Sequence, residues 1–249
     1  MHLVSRICAL SLALTTCLPA AQTFGWSMES EKADLCPAGT DSTPYYFPKL
    51  PTLRGDKQAL SGKFCLDLSG QTWRQATFDN PTDNHIWASP QQGAIALRWK
   101  YTGSLKSCML MQITGKLNEN KQLDSNDGIS VRVRNDSELT LTYGWNNGTE
   151  RTFIKFINQG SFTADRWYKV IAKWNTAAKP HLSLQLDNLP AVTGDVKPGA
   201  TKCVAYHHLL WGNDTNYAPE GLFLDDVEVW DDAAMQPAAH PAAPTPTKP

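Results

Sequence analysis

From Lys63 onward, apolar residues recur at every second position over short runs, and each run ends in a cluster of Gly, Asn, Asp or Pro. Alternation with period two places one set of side chains on one face of a strand, so the runs predict β-strands bounded by turns. Phe64, Leu66 and Leu68 share a face, and Ile95, Leu97 and Trp99 alternate with small or charged residues. Cys108 to Ile113 is almost wholly apolar, as expected of a central strand buried on both sides. Ile129, Val131 and Val133 oppose Arg132 and Arg134; after the turn Asn135-Asp136-Ser137, Leu139, Leu141 and Tyr143 repeat the pattern, which predicts a hairpin with one wet face. Further strands are predicted over Phe153 to Ile157, Trp167 to Trp174, Leu182 to Leu186, Cys203 to Trp211 and Leu222 to Trp230. No run carries a sustained 3.6-residue period. About ten strands without an internal repeat predict an all-β chain folded as a two-sheet antiparallel sandwich, in preference to a propeller or solenoid.

The flanks read differently. Residues 1–21 hold one cation, Arg6, then the apolar run Ile7 to Leu14, then Leu18-Pro19-Ala20-Ala21, the layout of a secretory signal peptide cleaved after Ala21. The apolar run is too short to span a bilayer, and no later one is longer, so no membrane insertion is expected. Leu14-Thr15-Thr16-Cys17 has Thr where lipoprotein processing uses a smaller residue, so lipidation is not expected. The chain is thus assigned to the secreted or periplasmic, cell-envelope compartment. Residues 22–62, with Pro37, Pro44, Pro48 and Pro51, predict an irregular arm, and residues 232–249, rich in Pro and Ala, a disordered tail. The folded domain is expected over residues 63–231.

Composition narrows the partner. The chain has 249 residues, 41% of them hydrophobic, with nine Trp and a net charge of -1. There is no basic footprint for nucleic acid and no charge block for a membrane surface. Leader removal takes Cys8 and Cys17 and leaves Cys36, Cys65, Cys108 and Cys203, an even number in an exported chain, which predicts two disulfides. Three pairings are open. Cys36 with Cys65, pinning the arm to an early strand, and Cys108 with Cys203, cross-linking the core, are favoured. No Cys/His spacing matches a zinc site.

Four segments, taken in order, resemble the laminin-G-like, concanavalin A-like jelly-roll superfamily. They are Gly93-Ala94-Ile95-Ala96-Leu97-Arg98-Trp99; Gly128-Ile129-Ser130-Val131-Arg132-Val133; Asp165-Arg166-Trp167-Tyr168-Lys169-Val170 with Leu182 to Asn188; and Leu224-Asp225-Asp226-Val227-Glu228-Val229-Trp230. The resemblance spans roughly residues 60 to 231 and implies a jelly-roll β-sandwich, a concave face able to hold a sugar chain and, often, a structural calcium ion. It implies no activity, because the fold hosts lectins, adhesion modules, glucanases and lyases. With Val227 and Val229 facing the core, strict alternation puts Phe223 and Asp225 inward as well. A buried Asp225 needs backbone N–H donors, a cation or a metal. Its place also resembles that of a calcium ligand in sandwich glucanases, which makes Asp225 the candidate ligand for a structural calcium.

The chemistry of the remaining residues favours binding. The paired carboxylates of sandwich glucanases, on a Glu-x-Asp-x-Glu strand, are missing. Against the strand motifs of alginate lyases, Gln112-Ile113-Thr114 has Thr in place of His and Val131-Arg132-Val133-Arg134 lacks the central Glu. A lyase of another kind would draw on Arg132 to neutralise a uronate and on Tyr143 or His207 to move the proton. A sugar site needs an aromatic platform beside amides and carboxylates. Two stretches supply one: Tyr143, Trp145 and Asn146, and Trp211, Asn213, Asp214 and Tyr217. The reading is a secreted polysaccharide-binding jelly-roll, with a polysaccharide lyase or glycoside hydrolase as the first alternative and a structural or adhesive envelope protein with a protein partner as the second.

Overall fold

The computed structural model describes residues 21–36, 42–43, 45–47, 53–55, 59–69, 75–79, 92–105, 107–114, 128–144, 152–176, 181–196, 208–212 and 221–231. Every regular element among them is a strand. In chain order these are β1 (Gln22–Trp26), β2 (Tyr45–Phe47), β3 (Leu53–Gly55), β4 (Phe64–Asp67), β5 (Gln75–Asp79), β6 (Gln92–Thr102), β7 (Cys108–Thr114) and β8 (Gly128–Val133). They continue as β9 (Glu138–Gly144), β10 (Thr152–Ile157), β11 (Tyr168–Asn175), β12 (His181–Leu186), β13 (Val192–Asp195), β14 (His208–Gly212) and β15 (Gly221–Trp230). Sheet I runs β13-β12-β11-β6-β15-β4-β3, with β1 also on β15, and sheet II runs β10-β9-β8-β7-β14-β5-β2. All pairings are antiparallel, and the two sheets form a sandwich.

The predicted apolar faces meet between the sheets. From sheet I come Ile95, Leu97 and Trp99 of β6, Tyr168, Val170, Ala172 and Trp174 of β11, and Leu182, Leu184 and Leu186 of β12. Ile129, Val131, Val133, Leu139, Leu141, Tyr143, Ile154 and Phe156 answer from sheet II. Trp99 stacks on Tyr168 at 5.2 Å and takes the edge of Phe162 at 5.2 Å, so one end of the core is set by aromatic packing. Trp174 pairs in register with Gly93, where a Cβ would lie 2.3 Å from the indole; only glycine admits that ring.

The stretch expected to be an irregular arm is part of the sandwich. β1 pairs with β15, β2 with β5 and β3 with β4. Phe24, Trp26 and Met28 are fully buried, and both rings meet Phe78 edge-on at 5.0 and 5.2 Å. Strands of three to five residues set between prolines are too short for alternation to register, so the pattern hid them.

β15 carries the second departure. Along one edge it pairs with β6; along the other it pairs first with β4, through Phe223 and Leu224, and then with β1, from Val227 to Trp230. At the changeover the register with β6 shifts, and Asp226 takes φ +48°. This bulge adds one residue and inverts the alternation beyond it. Leu222 and Leu224 before it and Val227 and Val229 after it therefore all face the core, while Phe223 and Asp225 lie on the outer side, opposite to the strict-alternation expectation.

The gap between β4 and β1 is filled by the segment leading into β4. Glu29, just past β1, accepts the backbone N–H groups of Lys63 and Phe64 at 2.8 and 3.2 Å. Gly62 turns there at φ +60°, and a Cβ on it would sit 2.1 Å from Glu29 Oε1. Gly160 also has positive φ, at +96°, but with nothing within 4 Å of an added Cβ. Both Gly62→Ala and Gly160→Ala incur the left-handed backbone cost of about 1 kcal/mol, and Gly62→Ala adds displacement of Glu29. In denaturant titrations Gly62→Ala is expected to lose about 2–3 kcal/mol and Gly160→Ala about half of that; equal losses would show that Glu29 yields freely.

Candidate functional site

The outer face of sheet II carries its hydrogen-bonding groups in cross-strand rows. The hairpin β8–β9 points Ile129, Val131, Val133, Leu139, Leu141 and Tyr143 into the core, which leaves Ser130, Arg132, Glu138, Thr140 and Thr142 outward. Register aligns Gln112, Ser130, Thr142 and Phe153 across β7, β8, β9 and β10, and Met109, Arg132, Thr140 and Lys155 in the next row. Four strands at about 4.8 Å make each row about 14 Å long. Gln112, Ser130 and Thr140 are buried although they face away from the core, so they form the floor. Arg132 and Thr142 are half-buried, and Phe153 and Ile157 stand out at 57% and 59% exposure on β10, the edge strand of the sheet. Lys155, between them, reaches Glu138 at 3.1 Å and lies 6.0 Å from the Phe153 ring. The face combines an amide, hydroxyls, a guanidinium and an exposed ring. Among the described side chains of β7 to β10, Glu138 is its one carboxylate, so no acid pair for glycoside hydrolysis stands there.

The expected site residues fall in three groups. Tyr143 is 1% exposed and packed in the core, so it contacts neither a sugar nor a uronate. Its alternation with Leu139 and Leu141 carried that information. Arg132 is outward on β8 while Tyr143 is inward on β9, so the two do not converge, and His207 lies outside the described residues. Trp211 sits in β14, opposite Ala76, as the predicted strand over Cys203 to Trp211 had it. Trp145, Asn146, Asn213, Asp214 and Tyr217 lie outside the described residues. Three antiparallel steps separate β9 from β14, so these two strands run in opposite directions and end at opposite ends of sheet II. The residues missed from sequence are Gln112, Ser130, Thr140, Thr142 and Phe153. For Ser130, Thr140 and Thr142 the signal was the polar half of an alternating run; Gln112, in an apolar run, and the apolar Phe153 carried none.

The outer face of sheet I is closed over a charged cluster. Lys100 is buried, its ammonium 5.2 Å from the Trp167 ring and 5.3 Å from the Phe223 ring, and burial lowers its pKa. Cys65 is a buried free thiol beside it; burial, with the charge of Asp225, pushes it up to about 12 against the pull of Lys100. The predicted Cys36–Cys65 bridge is not formed: Cys36 packs against the core between the sheets, whereas Cys65 lies outside that core, on the other side of sheet I. Cys203, the expected partner of Cys108, lies outside the described residues.

Asp225 is fully buried and satisfied by backbone. Oδ2 accepts from the N–H of Leu60 at 3.0 Å and of Ser61 at 3.4 Å, and Oδ1 from the N–H of Asp226 at 2.9 Å. Asp226 accepts from Ser61 Oγ at 3.1 Å and faces Arg98 at 3.4 Å. Three N–H dipoles aimed at the carboxyl present their positive ends where a cation would sit, so the residues around Asp225 do not fit calcium. No group of three or more His, Cys, Asp or Glu placed to hold a metal is found among the described residues.

No family model matches the sequence, and no curated protein matches it. Among solved structures the chain is similar to the receptor binding domain of botulinum neurotoxin D, with 10% identity and a TM-score of 0.57 over 86% of this chain and 50% of that one. It is also similar to the botulinum neurotoxin serotype G binding domain, with 8% identity and a TM-score of 0.60 over 86% of this chain and 49% of that one. The chain spans about half the length of these structures. At such identity the likeness establishes the β-sandwich fold.

The buried carboxyl has a pH consequence. Burial, reinforced by the neighbouring Asp226 charge, raises Asp225 to about 7, against the pull of the three N–H groups. Its pKa in the unfolded chain is about 3.9. Between those values the folded chain holds a proton that the unfolded chain releases, so this group's contribution is complete below about pH 4 and is lost as pH rises through about 7. Wild type is expected to lose about 4 kcal/mol from this source across that window. Asp225→Asn, which holds no such proton, should flatten the fall in a denaturant series from pH 4 to 8; a parallel curve would place the titration elsewhere.

Proposed function

We propose that this chain is a secreted carbohydrate-binding β-sandwich, of the concanavalin A-like jelly-roll kind that its segments resemble, and that its ligand lies on the outer face of sheet II. The observation that carries the reading is the row Gln112, Ser130, Thr142 and Phe153, an amide and two hydroxyls in register with an exposed ring. Within this row Thr142 is half-buried and Phe153 exposed, so a sugar's hydroxyls meet Thr142 and its apolar C–H face meets Phe153, above the buried Gln112 and Ser130. Trp145 and Asn146 follow β9 in the sequence and Asn213, Asp214 and Tyr217 follow β14, and these two strands run in opposite directions. A ligand that uses both is a chain of several sugars laid across the face, not a single ring. The receptor-binding role named for the neurotoxin domains supports a binding rather than a catalytic use of the sandwich. The leader assigned to residues 1–21 supports export.

A protein partner is the second reading, favoured by one observation: Phe153 and Ile157 are exposed on the outer face of an edge strand. Retention by a panel of neutral and uronate polysaccharides, with product release monitored in parallel, separates the readings. Phe153→Ala is expected to weaken retention by about tenfold, the value of one ring contact of about 1–1.5 kcal/mol, at unchanged Tm, and Trp145→Ala to act alike. Retention by no polymer would move the assignment to a protein partner, and sustained product release would make the chain an enzyme.

A further inference from the structure

The first described residue touches the last described one. Ala21 donates its backbone N–H to Asp231 Oδ1 at 2.9 Å, and its carbonyl accepts from the N–H of Asp231 at 3.1 Å. Ala21 thereby extends the β1–β15 ladder by one step beyond the pair Gln22 and Trp230. The geometry is that of an amine site. A peptide N–H meets the Asp231 carboxylate as a neutral donor; an α-ammonium at the same nitrogen would meet it as a charge-assisted pair.

We infer that the leader is removed at the Ala20–Ala21 bond, one residue before the boundary that composition suggested, and that the new terminus is captured by Asp231. Leader hydrolysis by the host's signal peptidase breaks the Ala20–Ala21 C–N bond. Water supplies oxygen to the Ala20 carboxylate, and the Ala21 nitrogen leaves as an amine that is protonated at neutral pH. A cut one residue later would discard both bonds to Asp231. It would also expose Gln22 as a terminus, where the free amine attacks the side-chain amide, expels ammonia and closes to a neutral pyroglutamate. The fold uses that amide: Gln22 Nε2 donates to the Phe24 carbonyl at 3.0 Å and closes over Gly25, where a Cβ would stand 2.5 Å from it. Retaining Ala21 preserves the Gln22 side chain and adds an ion pair at the end of the sheet. Two other carboxylates near β1 are engaged elsewhere: Glu228 accepts from the Trp230 indole at 3.2 Å and Asp34 from the N–H of Ser27 at 2.6 Å. Asp231 is the carboxylate that faces the new amine.

The inference rests on the exported reading of the chain, and the two fail separately. Full-length protein exported from a secreting host is analysed by intact mass and N-terminal sequencing. A terminus at Ala21 is the expected result; a terminus at Gln22, free or cyclised, overturns the inference and leaves export standing; an uncleaved leader overturns both. The mature chain and its Nα-acetylated form are then melted at pH 6. Acetylation is expected to lower Tm by roughly 1–4 °C, as for an exposed ion pair, and to have no effect in Asp231→Asn. Equal melting of the free and acetylated forms at pH 6 would overturn the capture.

Discussion

The fold turns on a carboxyl that water does not reach. β15 is the strand on which sheet I depends, because β6 takes one edge and β4 and β1 share the other. Two strands that divide one edge leave backbone groups unpaired at the seam, and an unpaired buried group costs about 1–3 kcal/mol. Asp225 closes the seam by accepting the N–H groups of Leu60, Ser61 and Asp226. Asp226, in the left-handed conformation, makes the bulge and pairs with Arg98 and Ser61. Consecutive aspartates thus solve two problems of one junction, the orphaned backbone and the change of strand phase.

The two outer faces follow different logics. On sheet I the charges are internal: Lys100 is held between Trp167 and Phe223, and Cys65, Asp67 and Asp225 are buried around it. Such a cluster serves the sandwich, since its members are spent on one another. On sheet II a buried polar floor rises to exposed groups at the β10 edge, where Phe153, Lys155 and Ile157 meet solvent. A lysine in the middle of an edge strand also discourages pairing with a foreign strand, so the same residue that borders the candidate site protects the edge.

Much of the architecture was legible because period two is a direct image of a half-buried strand. The hairpin β8–β9, the central strands β6 and β7, and β11 and β12 fall where alternation placed them. Two features were hidden for physical reasons. Short strands such as β2 and β3 contain too few residues to alternate, and their pairing comes from tertiary neighbours. A bulge is one extra residue with no composition of its own, so the phase of Phe223 and Asp225 was read from the wrong side of it. The candidate site was half legible. The aromatic residues stand out in the sequence, yet Tyr143 belongs to the core, and the polar row has no sequence image because its alignment across four strands exists only once the register is known.

The pairing of β1 with β15 joins residues 21 and 231, which are 210 positions apart. Sheet I therefore cannot close until the last strand has left the ribosome, and a chain truncated before it leaves β1, which carries Phe24 and Trp26, without the strand it pairs with. The same closure sets the first and last described residues side by side. A domain built this way can be spliced into the loop of another protein at a single point, or reopened at a different loop with its old ends joined, without stretching any strand.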